Sequence, residues 1–139
     1  MIMDVEKQNR TVLVVDDEPS VLFTYKLLVE REGYKAIAVE TSKKAMDVLH
    51  SAQRLDLLLC DLSLEEKHNG FEVIEFALSR FKQLPCVLLS GYATNHIVER
   101  AKGLNVPVLH KPIDIEEFLK TVTTILGADD GDKAQTKEH

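Results

Sequence analysis

The sequence has few of the residues that build disulfide frameworks, metal clusters or membrane spans. Its two cysteines form no CxxC pair, and its five histidines show no metal-ligand spacing. No apolar run is long enough to cross a bilayer, and the N-terminal segment is too polar for a signal peptide. Lysine and arginine number 17 against 23 acidic residues, and a formal net charge of −6 disfavours binding to nucleic-acid phosphates. These absences predict a cytoplasmic protein that contacts neither membrane nor nucleic acid.

The sequence does contain the hydrophobic pattern of one α/β domain. With 139 residues, 45% of them hydrophobic, the chain can bury a core without cross-links. Five short aliphatic runs, apolar on both faces, predict strands of a parallel sheet that helices cover on both sides. These runs are Thr11–Val15, Lys35–Val39, Leu55–Cys60, Cys86–Leu89 and Val106–Leu109.

A helical pattern follows each run, and the last helix carries Ile115 on its apolar face. Gly33 marks the end of the first helix. Five strand–helix repeats indicate an α/β fold with right-handed crossovers. Residues 1–9 and 127–139 have no periodic apolar face, so we expect a flexible N-terminus, one domain over 10–126 and a disordered tail. Helix starts are indicated at Pro19, at Thr41 or Ser42, at Asn69-Gly70 and at Asp114.

Polar side chains follow the predicted strands at the edge where an open parallel sheet binds ligands. Asp16 and Asp17 follow the first strand, Asp61 the third, Ser90 the fourth and Lys111 the fifth. Crowded carboxylates repel one another unless a cation neutralises them, and oxygen ligands suit Mg²⁺. A Mg²⁺ ion beside a lysine suits a phosphoryl group, because both stabilise its oxygens during transfer.

The sequence lacks the loops that bind nucleotides, with neither GxxxxGK[ST] nor GxGxxG after the first strand. Without a nucleotide site, one of the protein's own carboxylates is the favoured phosphoryl acceptor. Asp61 is the best candidate because it stands alone at a strand end, whereas Asp16 and Asp17 form a pair.

Four segments, VLVVDDEP, LDLLLCDLSL, VLLSGYA and VLHKPI, resemble in order the signature segments of the response-regulator receiver domain. Their separations match as well: 44 residues from Asp17 to Asp61, 29 more to Ser90 and 21 more to Lys111. The resemblance covers roughly residues 10–126. It implies a flavodoxin-like, doubly wound five-stranded parallel sheet of order 2-1-3-4-5, with helices on both faces.

The resemblance also implies roles for the acidic residues. Asp61 would be the phosphoacceptor and a Mg²⁺ ligand. Asp17 would bind Mg²⁺ directly and Asp16 through water, while the backbone carbonyl of Ser63 would be the third protein ligand.

The same resemblance implies how the phosphoryl group is held and read. Lys111 would pair with it, Ser90 would move to hydrogen-bond it after transfer, and the Lys111–Pro112 peptide would be cis. The donor would be a sensor histidine kinase or a histidine phosphotransfer protein. The output would be a protein contact through the fourth helix, fifth strand and fifth helix, with homodimerisation open and no DNA-binding output domain in this chain. Apart from Mg²⁺-dependent self-phosphorylation and slow self-dephosphorylation, no enzyme activity is implied.

Two features depart from the pattern of the family. Val108 stands where many receivers have a Tyr or Phe that changes pose on activation, so Tyr92 or His110 would have to substitute. The loop after Asp61 lacks a common proline and is acidic, with Glu65 and Glu66.

Two other hypotheses remain open from the sequence. A haloacid-dehalogenase-type phosphatase also forms an aspartyl phosphate, but it needs DxDx[TV] after the first strand, where this chain has DDEPS. A degenerate receiver that only docks is favoured by Val108 and disfavoured by the intact acids, Ser90 and Lys111.

Overall fold

The computed structural model of the chain describes residues 9–65, 70–91 and 94–127, and within them five strands alternate with five helices. The strands are β1 (Thr11–Val15), β2 (Lys35–Val39), β3 (Leu57–Asp61), β4 (Cys86–Ser90) and β5 (Val108–His110). The helices are α1 (Pro19–Arg31), α2 (Ser42–Ser51), α3 (Gly70–Arg80), α4 (Asn95–Gly103) and α5 (Ile115–Gly127). The predicted flexibility of residues 1–8 and 128–139 concerns segments outside the described residues.

The five strands form one parallel sheet in the order β2-β1-β3-β4-β5, which confirms the expected fold class. Val15 at the end of β1 pairs with Val39 of β2 and with Cys60 of β3. Ser90 at the end of β4 pairs with His110 of β5. The carboxyl ends of all five strands therefore meet at one edge of the sheet.

Several strands begin or end at other residues than the sequence predicts. β3 begins at Leu57, two residues later than predicted, and just before it the Asp56 carboxylate accepts a hydrogen bond from the Thr11 N–H at 2.8 Å. β5 begins at Val108, also two residues late, because Pro107 has no N–H to donate to a strand ladder. β3, β4 and β5 each run one residue further than predicted, which takes the ladder directly to the polar residues at the strand ends.

Helices pack on both faces of the sheet and form two separate cores. On one face are α1 and α5, where the rings of Tyr25 and Phe118 stack with centroids 5.0 Å apart. On the other face are α2, α3 and α4. All residues of β3 and β4 are buried, which explains why their sequences are apolar on both faces. Ile115 differs from the prediction. It is the first residue of α5, three positions before the buried Phe118, and it is 52% exposed.

Local signals at the helix ends are confirmed where the structure describes them. The Thr41 hydroxyl accepts from the Lys44 N–H at 3.0 Å and caps α2. Asp114 caps α5 through a 3.2 Å bond from the Glu116 N–H. After α1, Gly33 adopts a φ of 98°, which favours glycine. No helix within 9–65, 70–91 and 94–127 combines the length and apolarity needed to cross a bilayer.

The first and last elements contact each other at the sheet edge where β1 begins. Arg10 precedes β1, and its Nη1 donates to the Leu126 carbonyl at 2.8 Å, near the end of α5. The Arg10 carbonyl also accepts from the Lys35 N–H of β2 at 2.9 Å. This buried side chain fastens α5 to the amino-terminal edge of the sheet.

Candidate functional site

Asp16 and Asp17 follow β1 directly and form the first part of the site. Asp16 is fully buried, and its N–H extends the ladder to the Val39 carbonyl at 3.2 Å. Its Oδ1 accepts from the Glu18 N–H at 3.0 Å, just before α1 begins. Asp17 is partly exposed. The turn between β1 and α1 therefore points one carboxylate into the protein and leaves its neighbour partly open to solvent.

Asp61 is the last residue of β3 and is only 4% exposed. Its carboxylate accepts a hydrogen bond from the backbone N–H of Ser63. Carboxylate oxygens of Asp16, Asp17 and Asp61 lie within 4.8 Å of one another. The structure thus brings together the three acids that the sequence singled out, at the carboxyl ends of the neighbouring strands β1 and β3.

Lys111 reaches this cluster from the residue after β5. Its N–H donates to the Ser90 carbonyl at 2.8 Å, and the Lys111–Pro112 peptide is cis, as expected. Its Nζ lies 3.0 Å from Asp16 Oδ2 and 3.2 Å from Asp61 Oδ1, and the side chain is 22% exposed. One ammonium therefore bridges two buried carboxylates from different strands.

Burial and the closeness of like and opposite charges shift the pKa values of Asp61 and Lys111. Burial raises the pKa of Asp61 from 3.8 to about 6, and the charge of Asp16 adds to the rise, while Lys111 opposes it. Burial lowers the pKa of Lys111, but the hydrogen bond to Asp16 and the charges of Asp61 and Asp16 outweigh it, so this pKa is raised. One ammonium does not neutralise three carboxylates, so the site favours a further cation.

The donor set fits Mg²⁺. The cluster offers only carboxylate oxygens, which a hard divalent cation prefers, and Asp17 is open enough for water to complete an octahedral shell. The described residues of the cluster include no thiolate or imidazole that would favour a softer metal.

A sequence profile described as the response regulator receiver domain matches residues 12–123 of the chain. The chain belongs to this family. A curated relative, the polar-differentiation response regulator DivK of Brucella anthropi, is 26% identical over 121 residues, which cover 85% of this chain and 97% of the relative. Receiver domains are in general non-enzymatic modules of two-component signalling, they interact with histidine kinases or phosphotransfer proteins and with downstream targets, and they typically bind Mg²⁺ at an acidic site.

Solved structures support the receiver fold. A CheY-like receiver domain protein from Methanospirillum hungatei matches with a TM-score of 0.78 at 22% identity, over 94% of this chain and 98% of the other. The chemotaxis response regulator CheY4 of Vibrio cholerae matches with a TM-score of 0.74 at 24% identity, over 84% of this chain and 98% of the other.

Ser90 ends β4 at the same edge of the receiver and is 1% exposed. It is in register with His110 of β5, so the two side chains leave the sheet on the same face. Val108 lies on that face as well, partly buried against the core formed with α2, α3 and α4. Tyr92, the other proposed substitute for an aromatic at this position, lies outside the described residues.

Sequence reasoning missed one contact of the receiver site, which a backbone group makes. The N–H of Glu65 donates to Asp17 Oδ2 at 3.0 Å across 48 residues of sequence. Glu65 adopts a φ of 57°, which is rare for a residue with a side chain. A backbone donor leaves no signal in residue type, and the sequence marked Glu65 only as one of two acids in the loop.

Gly70, at the start of α3, was also missed as part of the site's support. A Cβ at this position would collide with the Asp61 carbonyl and come within 2.6 Å of the Leu62 Cα. The Gly70 N–H donates to the Leu62 carbonyl at 2.9 Å. The helix can therefore approach the end of β3 only because residue 70 has no side chain.

We expect Gly70→Ala to lower the free energy of unfolding by about 2 kcal/mol, because the colliding atoms belong to the backbone and cannot rotate away. Urea unfolding followed by circular dichroism measures this loss. Gly103→Ala, at the end of α4 with no atom within 4 Å of the new Cβ, is the matched control and should change stability by less than about 0.5 kcal/mol. Equal stabilities of the two variants would contradict the close approach at Gly70.

Proposed function

We propose that this receiver accepts a phosphoryl group on Asp61 from a phosphohistidine of a sensor histidine kinase or a histidine phosphotransfer protein. The observation that carries the proposal is the bridging of Asp16 and Asp61 by Lys111 Nζ, at 3.0 and 3.2 Å, beside Asp17. This arrangement surrounds one carboxylate with a lysine and with further acids that suit a divalent cation. A phosphoryl group on Asp61 needs both kinds of positive charge.

In this proposal Asp61 is the nucleophile, and its carboxylate attacks phosphorus in line with the P–N bond of the donor. The P–O bond forms as the P–N bond breaks, and the imidazole of the donor keeps the electron pair. Lys111 exchanges part of its contact with Asp61 for a contact with the phosphoryl oxygens. Ser90, at the end of the neighbouring strand, donates its hydroxyl hydrogen to another of these oxygens.

Mg²⁺ bound at the site would neutralise the charge that accumulates on the phosphoryl oxygens. Asp17 would hold it directly, Asp16 through water, and Asp61 and the backbone carbonyl of Ser63 would complete the protein ligands. Support for this set comes from the oxygens of the three acids lying within 4.8 Å of one another. The hydrogen bond from the Ser63 N–H to Asp61 supports a loop that turns back over the site.

The surroundings of the site favour a protein donor over a small phosphate ester. A groove of about 610 Å³ between α1 and α5 opens beside Lys111 and Glu18. Most of its remaining lining is apolar, including Leu28, Ile113 and Phe118. Among the described residues that line it, Lys111 is the one cation, and the apolar residues offer contact area to a protein surface. Cytoplasmic action remains a prediction from the sequence.

For the output, we propose a protein contact through α4, β5 and α5, with homodimerisation as one form of it. Val108 has no ring that changes pose, so the switch needs another group. His110 is the described candidate, because it is exposed and shares both register and sheet face with Ser90. This position beside Ser90 places His110 where it could respond to a movement of the Ser90 hydroxyl.

The first test is incubation with acetyl phosphate and Mg²⁺, followed by intact-mass measurement. We expect one added phosphoryl group on the wild-type chain. Asp61→Asn, or a chelator, should abolish the adduct, whereas Asp47→Asn, an acid on the exposed surface of α2, should keep it.

If no adduct appears, titration with beryllium fluoride separates two explanations, because this mimic of an acyl phosphate does not hydrolyse. Tight binding that needs Mg²⁺ and Asp61 would mean rapid self-dephosphorylation. No binding would contradict phosphoryl acceptance and favour a receiver that only docks, the candidate that Val108 supports.

A further inference from the structure

The loop that follows β3 is hydrogen-bonded to two of the site's acids. The Ser63 N–H bonds to the carboxylate of Asp61, and the Glu65 N–H bonds to Asp17 Oδ2 at 3.0 Å. Of the three acids, Asp17 is the one that is partly exposed. Because an exposed carboxylate otherwise rotates freely, the bond from Glu65 restricts the member of the cluster with the most freedom to lose.

The side chain of Glu65 is held in turn by α2. Its Oε1 accepts a hydrogen bond from the Ser42 hydroxyl at 2.8 Å, in the first turn of that helix. Ser42 follows Thr41, whose hydroxyl caps the helix, so the donor stands on a fixed element. A continuous path of hydrogen bonds therefore runs from the start of α2 through Glu65 to Asp17.

The backbone of Glu65 needs this support. A φ of 57° costs a residue with a side chain about 1–2 kcal/mol relative to the right-handed region. Glycine or asparagine normally occupies such positions. The bond to Ser42 and the bond to Asp17 together hold the residue in this conformation.

We propose that Glu65, anchored by Ser42, is a positioning residue for Asp17 and sets the affinity of the receiver for Mg²⁺. The amide of Glu65 occupies Oδ2 of Asp17, so Oδ1 would be the oxygen that binds the ion. This inference rests on the proposed function for the identity of the ion and goes beyond it in naming what preorganises the ligand.

The charge of Glu65 offers a rival explanation, since any nearby carboxylate attracts a cation. Two substitutions separate the explanations. Ser42→Ala removes the anchor and keeps the charge, whereas Glu65→Gln removes the charge and keeps an oxygen that accepts from Ser42. Ser51→Ala is the matched control, because Ser51 lies at the other end of α2 and its hydroxyl donates to the Asp47 carbonyl within that helix.

The test is a titration of the full chain with MgCl₂, followed by the amide signals in ¹H–¹⁵N NMR spectra. If Glu65 positions Asp17, Ser42→Ala should weaken Mg²⁺ binding about three- to tenfold, the loss expected from one hydrogen bond, and should speed hydrogen exchange of the Glu65 amide in the metal-free protein. Glu65→Gln and Ser51→Ala should bind Mg²⁺ within about twofold of wild type. With acetyl phosphate, Ser42→Ala should need more Mg²⁺ but reach the wild-type rate at saturation.

Unchanged Mg²⁺ affinity in Ser42→Ala would overturn the inference, as would a large loss in Glu65→Gln alone, which would assign the effect to charge. A wild-type chain that binds no Mg²⁺ would overturn it as well. A wild-type chain that binds Mg²⁺ more tightly than Ser42→Ala yet accepts no phosphoryl group would sustain the positioning role while refuting the proposed transfer.

Discussion

Lys111→Met should lower the free energy of unfolding of the metal-free protein by about 3 kcal/mol at pH 7.5, because it removes the cation between two buried carboxylates. Asp16 is fully buried and Asp61 nearly so, and Lys111 Nζ lies within 3.2 Å of both. Methionine preserves much of the volume of the side chain, so the loss reports charge rather than a cavity. Urea unfolding with a chelator present measures it.

Two comparisons make this result specific to the site. Lys43→Met removes a lysine that is 83% exposed and pairs with Asp47 on α2, so its effect should stay below about 0.5 kcal/mol. Mg²⁺ should stabilise Lys111→Met more than it stabilises wild type, because the ion supplies positive charge that the variant lacks. A variant that is as stable as wild type without Mg²⁺ would show that the two carboxylates do not need the ammonium.

Asp61→Asn should change stability in the opposite direction. Above pH 6 it should raise the free energy of unfolding of the metal-free protein by up to about 3 kcal/mol. Burial raises the pKa of Asp61 from 3.8 to about 6, so the folded state holds this proton more tightly than the unfolded state does. The stability of wild type therefore falls as the pH rises from about 4 to about 6. Asparagine carries no such charge, and the variant lacks this part of the pH dependence.

Urea midpoints for wild type and Asp61→Asn, measured with a chelator at pH 4 and pH 7.5, test this expectation. The difference should be near zero at the lower pH and largest at the higher one, and Mg²⁺ should narrow it by binding wild type. Asp47→Asn, whose side chain is 66% exposed, should show no comparable gain at either pH. A less stable Asp61→Asn at pH 7.5 would mean that the Lys111 contact outweighs burial.

Much of the fold and site was predictable because buried parallel strands leave a strong signal. The apolar runs of β1, β3 and β4 must be covered by helices on both faces, and strand pairing fixes the positions of the residues at and just after each strand end. Asp16, Asp61 and Lys111 were found for that reason. Their convergence depends only on the order of the strands and on their common direction.

The parts that were not predictable depend on contacts between distant residues or on backbone geometry. The bond from Glu65 to Asp17 spans 48 residues and involves an amide that every residue type except proline has. The closeness of Gly70 to the end of β3 depends on how α3 packs against that strand, which residue type does not reveal. Ile115 fits the helical period, but it is the first residue of α5, before the first buried position of that helix, and is exposed. The period of apolar residues predicts which face of a helix is buried, but not at which residue along the helix that burial begins or ends.

The contact between Arg10 and Leu126 has a consequence for how this unit can be built into larger proteins. Arg10, just before β1, and Leu126, near the end of α5, lie one arginine side chain apart, at the sheet edge away from the three acids. A host protein with two surface positions at that spacing can therefore accept residues 10–127 as an insertion in one of its loops. Short linkers would join the unit to its host without covering the edge that carries the three acids, and the same geometry makes circular permutation of the unit feasible.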